Sequence, residues 1–297
     1  MVERIGIIGL GRMGWALAAR LATQGVEVRG WTRSGVDAAR AKADGFQVTG
    51  SLEDLVATSD VLILSLFDDA AVREVLASLA ALDLGSRLVV ETSTVSPDIV
   101  RQMVGAIETA QGRLLDAPIS GGPNMVVAGT IGIFIGGHDA DVERFAPVGA
   151  LLSAKCVHVG PLGAGASAKI VNNMALGGMW EVLSEAMETG ARLGLPFETM
   201  LGFLETSPAA APAFVTRLPM IRGDMEAVGF SVAGILKDLA VIRRAASCVG
   251  ANVPAIDAAA DRYAQMMDAG RGAEDLSKVI PHSYAKAFAD DESGQEG

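Results

Sequence analysis

The sequence has 297 residues, half of them hydrophobic and only 5% aromatic, which suits two domains of ordinary size with a sizeable core. Twenty-four basic residues against 35 acidic ones give a net charge of −11, which argues against nucleic acid or an anionic membrane surface as the main partner but leaves room for one small anion in a local pocket. Cys156 and Cys248 lie far apart without C-x-x-C or Cys/His spacing, so neither a disulfide framework nor a metal site is expected.

The N-terminus, "MVERIGIIGLG", enters an apolar strand pattern at once, with no basic leader, and no apolar run is long enough to span a bilayer; a cytoplasmic location is the expectation. The first strand runs into Gly9-Leu10-Gly11-Arg12-Met13-Gly14 and then an amphipathic helix. In that context Gly9 permits a tight turn, Gly11 lets a pyrophosphate approach the backbone, and Gly14 lets the helix pack on the strand, so the turn is expected to bind a dinucleotide. The second strand, "VEVRGW", ends in Thr32-Arg33-Ser34, where a site for NAD would normally carry Asp or Glu for the ribose 2′-hydroxyl. Arg33 between two hydroxyls suits a 2′-phosphate, so NADP(H) is preferred and NAD(H) is the alternative.

Further short β-type runs follow ("DVLILSL", "RLVVET", "RLLDAP", "IGIFIG", "KCVHV"), separated by Ala- and Leu-rich segments, as expected of βαβ units on a parallel sheet. After "VGPLGAGAS" strand signals cease. Helices are expected over 167–193, 197–205, 212–222, 231–249, 254–268 and 275–288. The domains are accordingly read as 1–162, a Rossmann-type dinucleotide-binding domain, and 163–289, an all-helical domain, with 290–297 as a disordered acidic tail. On the long helix, Lys169, Asn173, Gly177 and Trp180 follow one another at steps of three and four, a face polar at one end and bare further along, which something is expected to approach. Only six of the 24 basic residues are lysine, and a lysine, unlike arginine, can release a proton.

The segments "GIIGLGRMG", "DAPISGG", "AGTIGIFIGG", "GPLGAGASAKIVNN", "KDL" and "GRGAEDLSKVI" together resemble the β-hydroxyacid dehydrogenases, in order over about residues 3–285. The resemblance implies a Rossmann-type domain, a long interdomain helix, an all-α domain and a substrate cleft between the two. By it, Lys169 is the general acid/base and Asn173 a substrate contact. Ser120-Gly121-Gly122 would grip a substrate carboxylate, Thr94 would meet the nicotinamide end, Leu66 would line the adenine-ribose side, and Lys237 would reach cofactor and substrate. Asp238 beside it either orients Lys237 or is a solvated helix residue.

The chemistry agrees with the resemblance. Hydride reduction of an aldehyde makes an alkoxide that needs a proton, which a lysine supplies; the reverse reaction needs a base. After "SGG" this sequence departs from the family's usual small and acidic residues with Pro123-Asn124-Met125-Val126-Val127, so the accepted acid is expected to carry a bulkier or less polar group. The expected substrate is a small hydroxy acid or semialdehyde, and the expected partner an identical subunit in a dimer or tetramer over the apolar long helix. Imine reductases share the architecture but usually lack a lysine at the position of Lys169. A non-catalytic cofactor sensor of the same fold is the rival from another class.

Overall fold

The structure is a computed structural model that describes residues 3–293. Packing divides the chain into two compact units, Met1–Val171 and Asn172–Gly297. The first begins β1 (Ile5–Ile8), α1 (Arg12–Thr23), β2 (Val28–Trp31), α2 (Ala38–Ala43), β3 (Gln47–Val48), α3 (Leu52–Ala57), β4 (Val61–Leu64), α4 (Asp69–Ala80), β5 (Leu88–Glu91) and α5 (Pro97–Thr109). It continues with β6 (Arg113–Asp116), β7 (Ile119–Ser120), α6 (Pro123–Ala128), β8 (Gly132–Gly136), α7 (Asp139–Leu152) and β9 (Lys155–Gly160). The long helix α8 (Ala164–Arg192) starts here and carries on into the second unit.

The strands form one sheet in the order β3-β2-β1-β4-β5-β6-β8-β7, with β9 also paired to β8. From β1 the chain moves outward to β3 and then returns to place β4 on the other side of β1, so the strand order reverses between β1 and β4, where open α/β sheets bind ligands at the strand carboxyl ends. Alternate residues feed two cores: Ile5, Ile7, Ile63 and Val90 pack on one face, Ile8, Leu62, Leu64 and Val89 on the other. That explains the unbroken apolar run of β4, which is covered on both sides. The sheet is not wholly parallel, because β8 runs antiparallel to β6 and β7. Residues 121–131 are too few for a crossover, which takes roughly a dozen or more, so the chain returns in the opposite sense.

The second unit holds the rest of α8, then α9 (Phe197–Thr206), α10 (Pro212–Val215), α11 (Leu218–Arg222), α12 (Val232–Cys248), α13 (Pro254–Asp268), a 3-10 turn (Leu276–Lys278) and α14 (Val279–Ser293). The single helix expected over 212–222 is two, since Pro219 cannot continue a helix begun before it and instead opens the first turn of α11. What approaches the bare face of α8 is α12: a Cβ on Gly177 would lie 2.9 Å from Leu239 Cδ2. Trp180 on that face is fully buried and meets Phe214 edge-on at 6.5 Å between ring centres. α14 runs to Ser293, into the stretch read as an acidic tail; residues 294–297 of that stretch lie outside the described residues. Among the described residues no helix is long and apolar enough to cross a membrane.

Candidate active site

The turn after β1 has the geometry of an anion seat. Gly9 adopts φ +95°, a left-handed conformation, and a Cβ there would collide with the Ser65 carbonyl oxygen. A Cβ on Gly14 would collide with the Gly9 carbonyl oxygen, so the strand-to-helix approach requires glycine at both. Gly11 is different: nothing lies within 4 Å of where its Cβ would be. Whereas α2 to α5 each have an Asp or Ser N-cap whose side chain bonds the first turn, the N-cap of α1 is Gly11, which brings no side-chain cap. A dinucleotide pyrophosphate fits that arrangement. Arg12 is exposed and Met13 half-buried, but Leu10 turns inward and packs on Gly30, so only its backbone is left to face a ligand.

At the end of β2, Thr32 is half-buried and Ser34 exposed. Arg33 is 80% exposed and its Nη1 lies 3.0 Å from both carboxylate oxygens of Glu74, on α4. Leu66 and Thr94 both sit just past the carboxyl ends of strands, β4 and β5, and both are half-buried. The Leu66 N–H donates to Ser93 Oγ at 2.9 Å, while its side chain packs partly against the core.

Ser120 ends β7 and is half-buried. Gly121 has φ +141°, a conformation that favours glycine, but Gly122 is ordinary extended backbone and serves as N-cap of α6. The departing residues 123–127 form that helix together with Ala128: Val126 is buried, whereas Met125 and Val127 are exposed.

Lys169 lies on α8 and is only 8% exposed. One turn later Asn173 is buried; it donates from Nδ2 to Asp238 Oδ2 at 2.6 Å and accepts from Asn172 Nδ2 at 3.0 Å. Asp238 Oδ1 lies 2.5 Å from Lys237 Nζ. Asp238 is thus no solvated helix residue but a buried carboxylate that joins Asn173 to Lys237. Among the described residues no group of three or more His, Cys, Asp or Glu is placed to hold a metal ion.

Residues 4–160 match the model of the NAD-binding domain of 6-phosphogluconate dehydrogenase, and residues 163–283 that of the NAD-binding domain of NADP-dependent 3-hydroxyisobutyrate dehydrogenase. The chain belongs to the β-hydroxyacid dehydrogenase family. This dehydrogenase is 32% identical over 294 residues to a probable 3-hydroxyisobutyrate dehydrogenase of Mycobacterium tuberculosis strain H37Rv, covering 96% of this chain and 99% of that one. It is 32% identical to 2-(hydroxymethyl)glutarate dehydrogenase of Eubacterium barkeri, with 93% of each covered. The solved Mycobacterium tuberculosis 3-hydroxyisobutyrate dehydrogenase with L-serine is similar at a TM-score of 0.84 and 32% identity, over 95% of this chain and 99% of that one. The present chain is an NAD(P)-dependent oxidoreductase acting on a CH–OH group.

Two carboxylates that contact the candidate residues or their helix, Glu74 and Asp116, are not apparent from the sequence alone. Glu74 is 41 positions from Arg33, and nothing in the local pattern announces that α4 returns it to the end of β2. Asp116 lies inside "DAPISGG", and the signal available is a carboxylate that closes a strand after two buried leucines.

Proposed function

We propose that this dehydrogenase interconverts a small 3-hydroxy acid and its semialdehyde, with Lys169 as the proton donor and acceptor and NADP(H) as the preferred cofactor. The observation that carries the proposal is Lys169 itself, a lysine 8% exposed and one helical turn from Asn173 in a chain whose α1 terminus is built for a pyrophosphate. When bound, the nicotinamide cofactor would supply or take the hydride at the reacting carbon. In the reducing direction the carbonyl oxygen becomes an alkoxide as hydride arrives, and the Lys169 ammonium gives it a proton; in the oxidising direction the neutral amine takes the hydroxyl proton as hydride leaves. Ser120 and the Gly121 turn offer a hydroxyl and backbone N–H groups to the substrate carboxylate. By the resemblance, Asn173 would contact the substrate and Lys237 would reach cofactor and substrate; both are tied to Asp238.

Rates with a panel of 3-hydroxy acids, semialdehydes and cyclic imines, on the parent and on Lys169→Ala, test this directly. The substitution is expected to lower kcat by about 10²- to 10⁴-fold. Near-intact hydroxy-acid oxidation in the variant would remove Lys169 from the chemistry. Within the panel, the exposed Met125 and Val127 of α6 favour acids with a bulkier or less polar flank; highest efficiency with the smallest, most polar member contradicts that.

The cofactor preference is supported by Arg33 with its flanking hydroxyls. Glu74 is the group a 2′-phosphate displaces: an exposed ion pair contributes about 0–1 kcal/mol, less than the roughly 1.5–3 kcal/mol of hydrogen bonds between charged groups. Titration at equal ionic strength is expected to show NADPH binding more tightly than NADH, and Glu74→Gln widening the gap. Equal affinities in the parent would refute the preference. A second copy of the chain is proposed over α8, where Val171 and Val182 are 67% and 61% exposed; a monomer in sedimentation analysis would refute it.

A further inference from the structure

Three of the quoted motifs meet at one point that the reaction does not explain. Asp116, the last residue of β6, is fully buried; its Oδ1 accepts from the Gly163 N–H and its Oδ2 from the Ala166 N–H, each at 2.7 Å. These are orphan donors at the start of α8. Two nearby N–H groups are satisfied locally, Ala164 N–H by Pro161 O at 2.8 Å and Ser167 N–H by Gly163 O at 3.1 Å. Two glycines close around the carboxylate. A Cβ on Gly136, at the end of β8, would stand 2.5 Å from Asp116 Oδ1 and 2.7 Å from Gly165 N; a Cβ on Gly165 would strike the Phe134 carbonyl oxygen and lie 2.8 Å from Asp116 Oδ2. "DAPISGG", "AGTIGIFIGG" and "GPLGAGASAKIVNN" are thus three sides of one joint between strand, strand and helix.

We propose that Asp116 is a positioning residue for Lys169: by holding the first turn of α8 against the ends of β6 and β8, it fixes the depth and rotation at which the helix presents the lysine. The inference rests on the reading of Lys169 as the proton donor and acceptor. Lys169 follows Ala166 by three residues, less than one turn, so a slide or twist of the first turn is passed to it undiminished. A displacement of about 1 Å is enough to cost on the order of 10²-fold in rate. The joint suits this task, because it is built from two short hydrogen bonds to a buried carboxylate and from close backbone approaches at Gly136 and Gly165, with the Arg101 side chain lying against Gly163.

Asp116→Asn keeps the shape but has only one carbonyl oxygen to offer two N–H groups; Asp116→Ala offers none. Assayed well below each variant's melting temperature, kcat is expected to fall by about 10- to 100-fold in the first and further in the second, with cofactor KM within about twofold of the parent and the lysine limb of the pH–rate profile displaced. Asp116→Asn combined with Lys169→Ala is expected to be no slower than Lys169→Ala alone, since the carboxylate acts through the lysine. An unchanged kcat and pH profile in folded Asp116→Asn, or a full additional loss in the double variant, overturns the proposal while leaving Lys169 in place; near-parental activity in Lys169→Ala overturns both. If the Asp116 variants do not fold, Gly165→Ala displaces the same turn with the carboxylate intact. The same loss of kcat at constant cofactor KM is expected there, and an unchanged kcat is again a refutation.

Discussion

Two of the glycine-rich helix starts in the first unit, at α1 and at α8, have opposite fates. Each follows a strand of the sheet and each presents backbone N–H groups that the helix cannot use. At α1 no side chain caps the terminus and the space beside Gly11 is open. At α8 the neighbouring strand β6 delivers the Asp116 carboxylate, and Gly136 and Gly165 shut the space around it. The same kind of donor is thus left open to a ligand's anion in the reading proposed for α1 and is taken by the chain's own anion at α8. The glycine pattern is common to both starts; the carboxylate at the end of β6 is what separates them.

Alanine substitutions test that contrast most sharply, beginning with the largest expected effect. In Gly14→Ala the new methyl group would collide with the Gly9 carbonyl oxygen, so the variant is expected to lose about 3 kcal/mol of stability along with cofactor binding, read by thermal melting and by titration with reduced cofactor. Gly11→Ala comes next. With nothing within 4 Å of its Cβ, the melting temperature is expected to stay put while cofactor affinity drops by about 10- to 100-fold, as a methyl group intrudes where the pyrophosphate approaches. The open end should thus separate binding from stability, and the sealed end should not. Cofactor binding unharmed in Gly11→Ala would mean that the α1 terminus is not the seat.

The contrast also marks the limit of what the sequence discloses. Strong local periodicity made α8, α12 and α13 legible almost to their ends, glycine spacing marked the start of α1, and the apolar runs located β1, β4, β5 and β8. The two-residue strands β3 and β7 carry too little pattern to register, and the antiparallel return of β8 is set by the shortness of 121–131, not by any residue type. At the site, Lys169, Asn173 and the Gly9–Gly14 turn stood out because each breaks an apolar or helical rhythm. Glu74, Asp116 and the buried role of Asp238 did not, since their partners come from distant segments and only packing reveals them. Pairings of this kind are properties of the fold and leave no periodic trace.

The smallest expected effect is a difference of sign between two carboxylates of the first unit. Burial pushes the Asp116 carboxyl above its usual 3.8, against the pull of the Gly163 and Ala166 N–H groups. The folded protein then binds that proton more tightly than the unfolded chain does, so this contribution to stability is full below 3.8 and is lost as pH rises through the folded value. Asp60 behaves oppositely: its hydrogen bond from the Arg4 guanidinium holds it down at about 2, so its contribution is present above 3.8 and is lost as pH falls from there through about 2. With Asp60 37% exposed, screening keeps that contribution below about 1 kcal/mol. Urea midpoints should accordingly show the parent gaining on Asp116→Asn as pH is lowered from neutrality towards 3.8, and surrendering its advantage over Asp60→Asn only below that point. A parent that instead loses ground to Asp116→Asn on acidification would mean that the two N–H donors outweigh burial. The sealed end would then hold its anion as firmly as the open end is built to hold a pyrophosphate.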